Sequence, residues 1–216
     1  MKDLVSVIVL VNNVESFINL SLDSILKQTY KNIEVILVDR GSKDNTSKIC
    51  EYYAKKDRRV KLVEVSSSTG QNSKNIGLKH SRGKYVTFVD GGDIIASNYI
   101  EYMMERMLDE EADIVCVDHY KNNEPDKSDR HYRIFENSYI LRNYLHMNLR
   151  SNYYAKLYRK DLFDGIKYPE VKHYDDFMTT YKLYDKAKKV VSSGLNKYCV
   201  VTEKNTYGEG ITDKER

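Results

Sequence analysis

Lys84-Tyr85-Val86-Thr87-Phe88-Val89-Asp90-Gly91-Gly92-Asp93 is an apolar run that ends in two acids separated by two glycines. The run reads as a buried strand, and its acidic end is where a ligand-binding α/β sheet places carboxylates beside a diphosphate or a metal. The residues before it share that rhythm. Val5–Val11 is a β-branched strand, and Asn12-Asn13 can cap the next element. Val14, Phe17, Ile18, Leu22, Ile25 and Leu26 recur at helical spacing, so a helix is expected from about Val14. Ile33–Val38 is a second strand closed by Asp39-Arg40-Gly41-Ser42, and Asp44-Asn45-Thr46 starts a helix through about Lys55. Val60–Val65 is a third strand, 66–70 a Ser/Thr/Gly loop, and Asn72–His80 a short helix leading into the 84–93 run. This alternation predicts an α/β protein: a mostly parallel sheet with helices on both faces.

Beyond Asp93 the pattern loosens. A helix over Asn98–Leu108 carries Ile100, Met103, Met104 and Met107 on one side, which reads as core, and Ile114–Val117 is the next strand. Lys121–Arg133 is polar, with Pro125 among charges, and marks a surface loop. A boundary there divides a first part, 1–120, from a second part, 121–216, the two packed together. The second part is expected to hold a helix over Ser138–Met147, a strand or turn over Ala155–Tyr158, a helix over Asp175–Ala187, and short strands at Val190-Val191 and Tyr198–Val201.

The balance of 35 basic against 32 acidic side chains leaves a formal charge of +3, too even for a nucleic-acid footprint. Cys50, Cys116 and Cys199 are odd in number and widely spaced, which suggests neither a disulfide framework nor a zinc site and fits a reducing, cytoplasmic setting. The longest apolar run near the start, Val7–Val11, is far below the ~18 residues of a membrane span, which leaves a peripheral contact with membranes open. Nineteen tyrosines with no tryptophan read as half-buried packing residues and carry little functional weight at this level. Oligomeric state is not legible.

Three acidic sites fall at strand ends or a helix start, and the carboxyl ends of parallel strands share one edge. Asp39 either accepts hydrogen bonds from the base or ribose of a nucleotide, or closes a turn. Asp90 and Asp93 either hold a divalent cation, manganese or magnesium, or serve the turn around two glycines. Asp175 and Asp176 either supply a general base for an acceptor hydroxyl, or place negative charge at a helix start.

Val5-Ser6-Val7-Ile8-Val9, Asn13-Val14-Glu15, Leu22-Asp23-Ser24-Ile25-Leu26-Lys27-Gln28-Thr29-Tyr30 and Ile33–Asp39, in that order, resemble the opening of family 2 glycosyltransferases of the GT-A, Rossmann-like fold. The resemblance continues through Gly41–Asn45, Asn75–Leu78 and the strand ending at Asp90. It reaches Lys156–Phe163 and Tyr174–Phe177, which are similar to acceptor-side segments of bacterial polysaccharide-building members. It implies a sugar-nucleotide donor, a uridine diphosphate sugar first, and transfer with inversion to a glycan or lipid-linked acceptor. It also implies a divalent cation and a cytoplasmic place that extends to the inner face of the membrane. By the same resemblance Val11, Glu15, Asp39, Lys74 and Asp90 bind the nucleotide sugar, Asp90 and Asp93 the metal, and Asp176 with Asp175 forms the catalytic pair.

Several chemical positions depart from the family pattern. Leu10-Val11-Asn12-Asn13 lacks the aromatic that would stack on the base, Arg40 replaces a second acid, and Gly92 replaces a carboxylate of the metal motif. Lys74 stands where an arginine is usual, a point charge in place of a bidentate fork. Towards the end, Asn205-Thr206-Tyr207 precedes Gly210-Ile211-Thr212, with Lys204 the nearest cation. Two functions therefore stand as expectations: an active transferase, and a weakened relative that keeps the fold as a binding or scaffold partner.

Overall fold

Alternate residues of the first strand are buried on opposite faces, which puts it inside a sheet covered on both sides. The computed structural model describes residues 3–65, 72–121, 131–146, 149–171 and 173–201. In chain order the elements are β1 (Val5–Val11), α1 (Ile18–Leu26), β2 (Ile33–Asp39), α2 (Thr46–Lys56), β3 (Val60–Glu64), α3 (Ser73–His80) and β4 (Tyr85–Asp90). They continue with β5 (Ile94–Ile95), α4 (Tyr99–Asp109), β6 (Ile114–Lys121), β7 (Tyr132–Glu136), α5 (Ser138–Leu145), β8 (Lys156–Arg159), α6 (Asp175–Lys186) and β9 (Lys189–Val200). One sheet runs in the order β3-β2-β1-β4-β8-β6-β9-β5, with β7 paired to β9. Strands β3, β2, β1 and β4 are parallel, β8 is antiparallel between β4 and β6, and β6 is parallel to β9. The α/β, mostly parallel expectation holds.

Val5, Val7, Val9 and Val11 face one core layer with Ile18, Leu22 and Ile25 of α1 and Met103, Met104 and Met107 of α4. Ile8 faces the other with Phe88, Tyr158, Leu183 and Tyr184. The methionines are core, as their spacing implied. Helix α3 packs so tightly on β1 that a Cβ on Gly77 would lie 2.3 Å from Cγ2 of Ile8.

Some boundaries move. Helix α1 starts at Ile18 and not near Val14, because the preceding residues turn: Asn13 takes φ 52°, and the Val14 N–H donates to Thr46 Oγ1 at 2.9 Å. Strand β6 extends to Lys121, past Val117. Residues 132 and 133, read as loop, open β7, an edge strand whose side chains are mostly exposed and so lack an apolar signature. Val190-Val191 and Tyr198–Val201 are joined, since 189–200 is one strand with a register shift against β6. The loop 66–70, most of 121–133 and the segment from Lys204 to Thr212 lie outside the described residues. All three cysteines are buried and free. Among the described residues no helix is long and apolar enough to cross a membrane.

Candidate active site

Parallel register brings the acidic ends together: Val11 pairs with Asp39 and Leu10 with Asp90. Beyond these ends opens a cleft of about 810 Å³. Val11, Lys74, Asp90, Asp93 and Asp175 line it, while Asp39 lies beneath its wall. Gly91 has a packing reason: its N–H donates to the Leu10 carbonyl at 2.8 Å, and a Cβ there would lie 2.5 Å from Val11 Cγ1.

The two acids of the β4 turn are half-buried and buried, and both are held by tyrosines. The Tyr153 hydroxyl donates to Asp90 Oδ1, and the Tyr198 hydroxyl donates to Asp93 Oδ2 at 2.7 Å. Asp93 Oδ1 accepts the Val201 N–H at 2.9 Å. Burial pushes the Asp93 carboxyl up to about 7, with the Asp90 charge adding to it against the two hydrogen bonds. Burial also raises Asp90, against the Tyr153 hydrogen bond and the Lys74 charge. Two hard carboxylates that disfavour each other's ionisation fit a divalent cation, which would reverse that penalty. Among the described residues no cluster of three or more such ligands forms, so a cation here would complete its shell from phosphate oxygens and water.

Across the cleft, α6 opens with Asp175 and Asp176 after Tyr174, which is exposed and left-handed at φ 66°. Lys74, buried in the first turn of α3, reaches both acids: Nζ is 2.7 Å from Asp175 Oδ2 and 2.9 Å from Asp176 Oδ1. The second contact is an ion pair off the hydrogen-bond direction, since Asp176 Oδ1 has no hydrogen-bond partner. Lys74 also lies 4.1 Å from the Tyr153 ring centroid. Asn72 caps α3 by accepting the Lys74 N–H at 3.0 Å and donates to Asp175 Oδ2 at 2.8 Å. The two acids diverge as a result. Burial would raise Asp175, but the hydrogen bonds from Lys74 and Asn72 hold it below the usual carboxylate range. Asp176 is raised by burial, against Lys74 and with the charges of Asp175 and Asp90 adding to it. Neighbouring carboxyls pushed apart in this way can divide structural and proton-transfer roles.

Other expected residues stand back from the cleft. Asp39 is buried, with Oδ1 accepting from the Ser42 hydroxyl at 2.7 Å and Oδ2 from Ser47. Glu15 Oε2 accepts the Asn45 N–H at 2.7 Å, where α2 begins. Arg40 does line the cleft, and so does Phe17, whose Cβ would be 3.8 Å from a Cβ on Gly92. Sequence reasoning misses Tyr153 and Tyr198. Their signal is the tyrosine count, which composition alone assigns to packing, yet each orients a site carboxylate. No local spacing links them to Asp90 and Asp93.

The family model for "Glycosyl transferase family 2" matches residues 6–171. The chain belongs to glycosyl transferase family 2. GlyG, a glycosyltransferase of Streptococcus pneumoniae, is 31% identical over 92% of this chain and 70% of its own length. GlyA, a glycosyltransferase of the same organism, is 30% identical over 98% of this chain, but this chain spans only 32% of GlyA. S. aureus TarS 1-349 in complex with UDP-GlcNAc superposes with a TM-score of 0.78 at 26% identity, covering 98% of this chain and 60% of that TarS 1-349 chain. This family 2 chain is therefore similar to glycosyltransferases over nearly all its length, and shorter than each of these relatives. The GT-A expectation from its opening residues is met by the fold it shares with TarS.

Proposed function

We propose that this chain transfers a sugar, with inversion at the anomeric carbon, from a nucleotide-sugar donor to a hydroxyl of a glycan or lipid-linked acceptor in building a cell-surface polysaccharide. The observation that carries the reading is the meeting of Asp90, Asp93 and Asp175 around one cleft lined by Lys74 and Tyr153, with Asp176 set behind that lining and joined to it through Lys74. A uridine diphosphate sugar is the first donor to test, since TarS was crystallised with UDP-GlcNAc. The reading places the chain in the cytoplasm, at the inner membrane face for a lipid-linked acceptor.

Asp176 takes the proton of the acceptor hydroxyl. Burial raises its proton affinity, and the Lys74 charge acts against that rise. The hydroxyl oxygen attacks the anomeric carbon as the bond to the nucleoside diphosphate breaks on the opposite side. Asp175, held by Lys74 and Asn72, positions the start of α6. Asp90 and Asp93, oriented by Tyr153 and Tyr198, would hold a manganese or magnesium ion that supplies positive charge to the departing diphosphate. Val11 and Lys74 border the space for the nucleotide sugar, with Asp39 and Glu15 shaping its walls from behind.

A second reading, a weakened relative that binds without turnover, is favoured by Arg40 in the cleft and by the missing carboxylate at Gly92. Calorimetric titration with uridine and guanosine diphosphates and their sugars, with and without manganese, separates the two. Metal-dependent binding of one nucleotide supports the transferase, whereas a folded protein that binds none supports the scaffold. Asp176→Asn should then lower kcat by about 100-fold or more with sugar-donor affinity kept. Equal losses in both would make Asp176 structural.

A further inference from the structure

A second cleft, about 340 Å³, lies beside the first and is lined by Lys156, Arg150, Arg133, His131, Asp118 and Asn152, among others. Its lining is uneven in charge: two arginines, a lysine and a histidine stand with one carboxylate. Asp118 is engaged by Arg150 at 3.0 Å, and Arg133 makes no ion pair among the described residues. Lys156 is 2% exposed, and its Nζ donates to the Asn152 carbonyl oxygen at 2.5 Å and to Asn152 Oδ1 at 3.0 Å. Both acceptors are neutral and use two of the three ammonium protons. Burial pushes this ammonium down to about 8. A structural role for Lys156, tying the Asn152 turn to β8, accounts for these two hydrogen bonds. It does not account for Arg133 on the same space, while Arg150 there is held by Asp118 and His119. An ammonium buried without an anionic partner is costly, and guanidinium groups pair with planar or tetrahedral oxyanions.

The segment 150–154 joins the two clefts: Arg150 and Asn152 line the second, Tyr153 and Tyr154 the first. Asp176, the candidate base, is close enough for its charge to act on Lys156. We propose that the second cleft binds an anionic group of the acceptor, a phosphate or a sugar carboxylate, while the acceptor hydroxyl reaches Asp176. The assignment to the acceptor rests on the transferase reading; the anion site itself does not.

The test is calorimetry on the full chain with UDP and manganese at saturation, so that the first cleft is filled. Inorganic phosphate, sn-glycerol 3-phosphate and glucuronate are titrated into the wild type and into the Arg133→Gln/Arg150→Gln variant, whose changed side chains are exposed. Saturable binding that the variant weakens by about tenfold or more supports the site. Tighter binding of glycerol phosphate then names a phosphate-bearing acceptor, and tighter binding of glucuronate an acidic sugar. No saturable binding of any of the three, equal binding by the variant, or binding that UDP abolishes overturns the proposal. UDP binding is read in the same experiment. UDP bound without an anion ends this inference alone. Anion binding lost in the variant, in a chain that binds neither uridine nor guanosine diphosphate nor their sugars, keeps the site and ends the transferase reading.

Discussion

Asp93 shows how much of a residue's chemistry depends on its surroundings. Its carboxyl titrates near 3.8 in an unfolded chain and about 7 in the fold, chiefly through burial. Between those values the folded state keeps a proton that the unfolded state has lost, so the metal-free protein loses stability as pH rises from about 4 to about 7, then levels off. Urea unfolding across that window should show a falling slope in the wild type that Asp93→Asn removes; superimposable slopes would refute the assignment. Manganese binding should move the other way, strengthening as pH rises through about 7, because the cation needs the ionised carboxylate. The two acids at the end of the 84–93 run, and their place on the sheet edge, were legible in the chain. Their pKa values were not, because burial and the hydroxyl of Tyr198 come from other elements. Lys74 is similar: it was legible as a cation near a diphosphate, but not as the bridge between Asp175 and Asp176.

The turn after β4 contains two glycines with different duties. At Gly91 a methyl group would meet Val11 Cγ1 at 2.5 Å and the Leu10 carbonyl oxygen at 3.0 Å, so glycine is what lets the turn close on β1. At Gly92 the nearest atom would be 3.8 Å away, an ordinary contact. Gly91→Ala should therefore cost about 1–3 kcal/mol of stability by overpacking. Gly92→Asp should leave Tm nearly unchanged and tighten manganese binding about tenfold, by adding an oxygen ligand to the Asp90/Asp93 pair. Thermal melts and metal titration check both; a Gly92→Asp variant that melts as low as Gly91→Ala would show that the space is not there. Elements built on regular burial, such as β1, β2, α2 and α4, could be read from periodicity to within one or two residues. Strands β5 and β7 could not. The first is two residues long, the second mostly exposed, and both owe their pairing to β9, far along the chain.

At the scale of the molecule, β8 sits between β4 and β6, and β9 pairs with β6, β5 and β7. The part after residue 120 thus completes the sheet of the part before it. A 1–120 fragment would leave the inner edge of β4 and the apolar face around Phe88 without Tyr158, Phe163 and Tyr168. Such a fragment should lose near-UV circular dichroism and bind ANS, while the intact chain unfolds in one transition by both far-UV and near-UV signals. A fragment with native-like near-UV signal, or two separated transitions in the full chain, would show that the halves fold independently. The β-α alternation and the parallel sheet could be read from the chain, because burial on one face of a strand or helix leaves a local period in the residues themselves, and the family could be read from the resemblance of its ordered motifs. The pairing of Tyr153 with Asp90 and of Lys74 with two acids, and the placing of Lys156 and Arg133 on one second cleft, were decided only by the fold. Those contacts join residues distant along the chain, and strand order and burial, which no local pattern records, set both their distances and their charges.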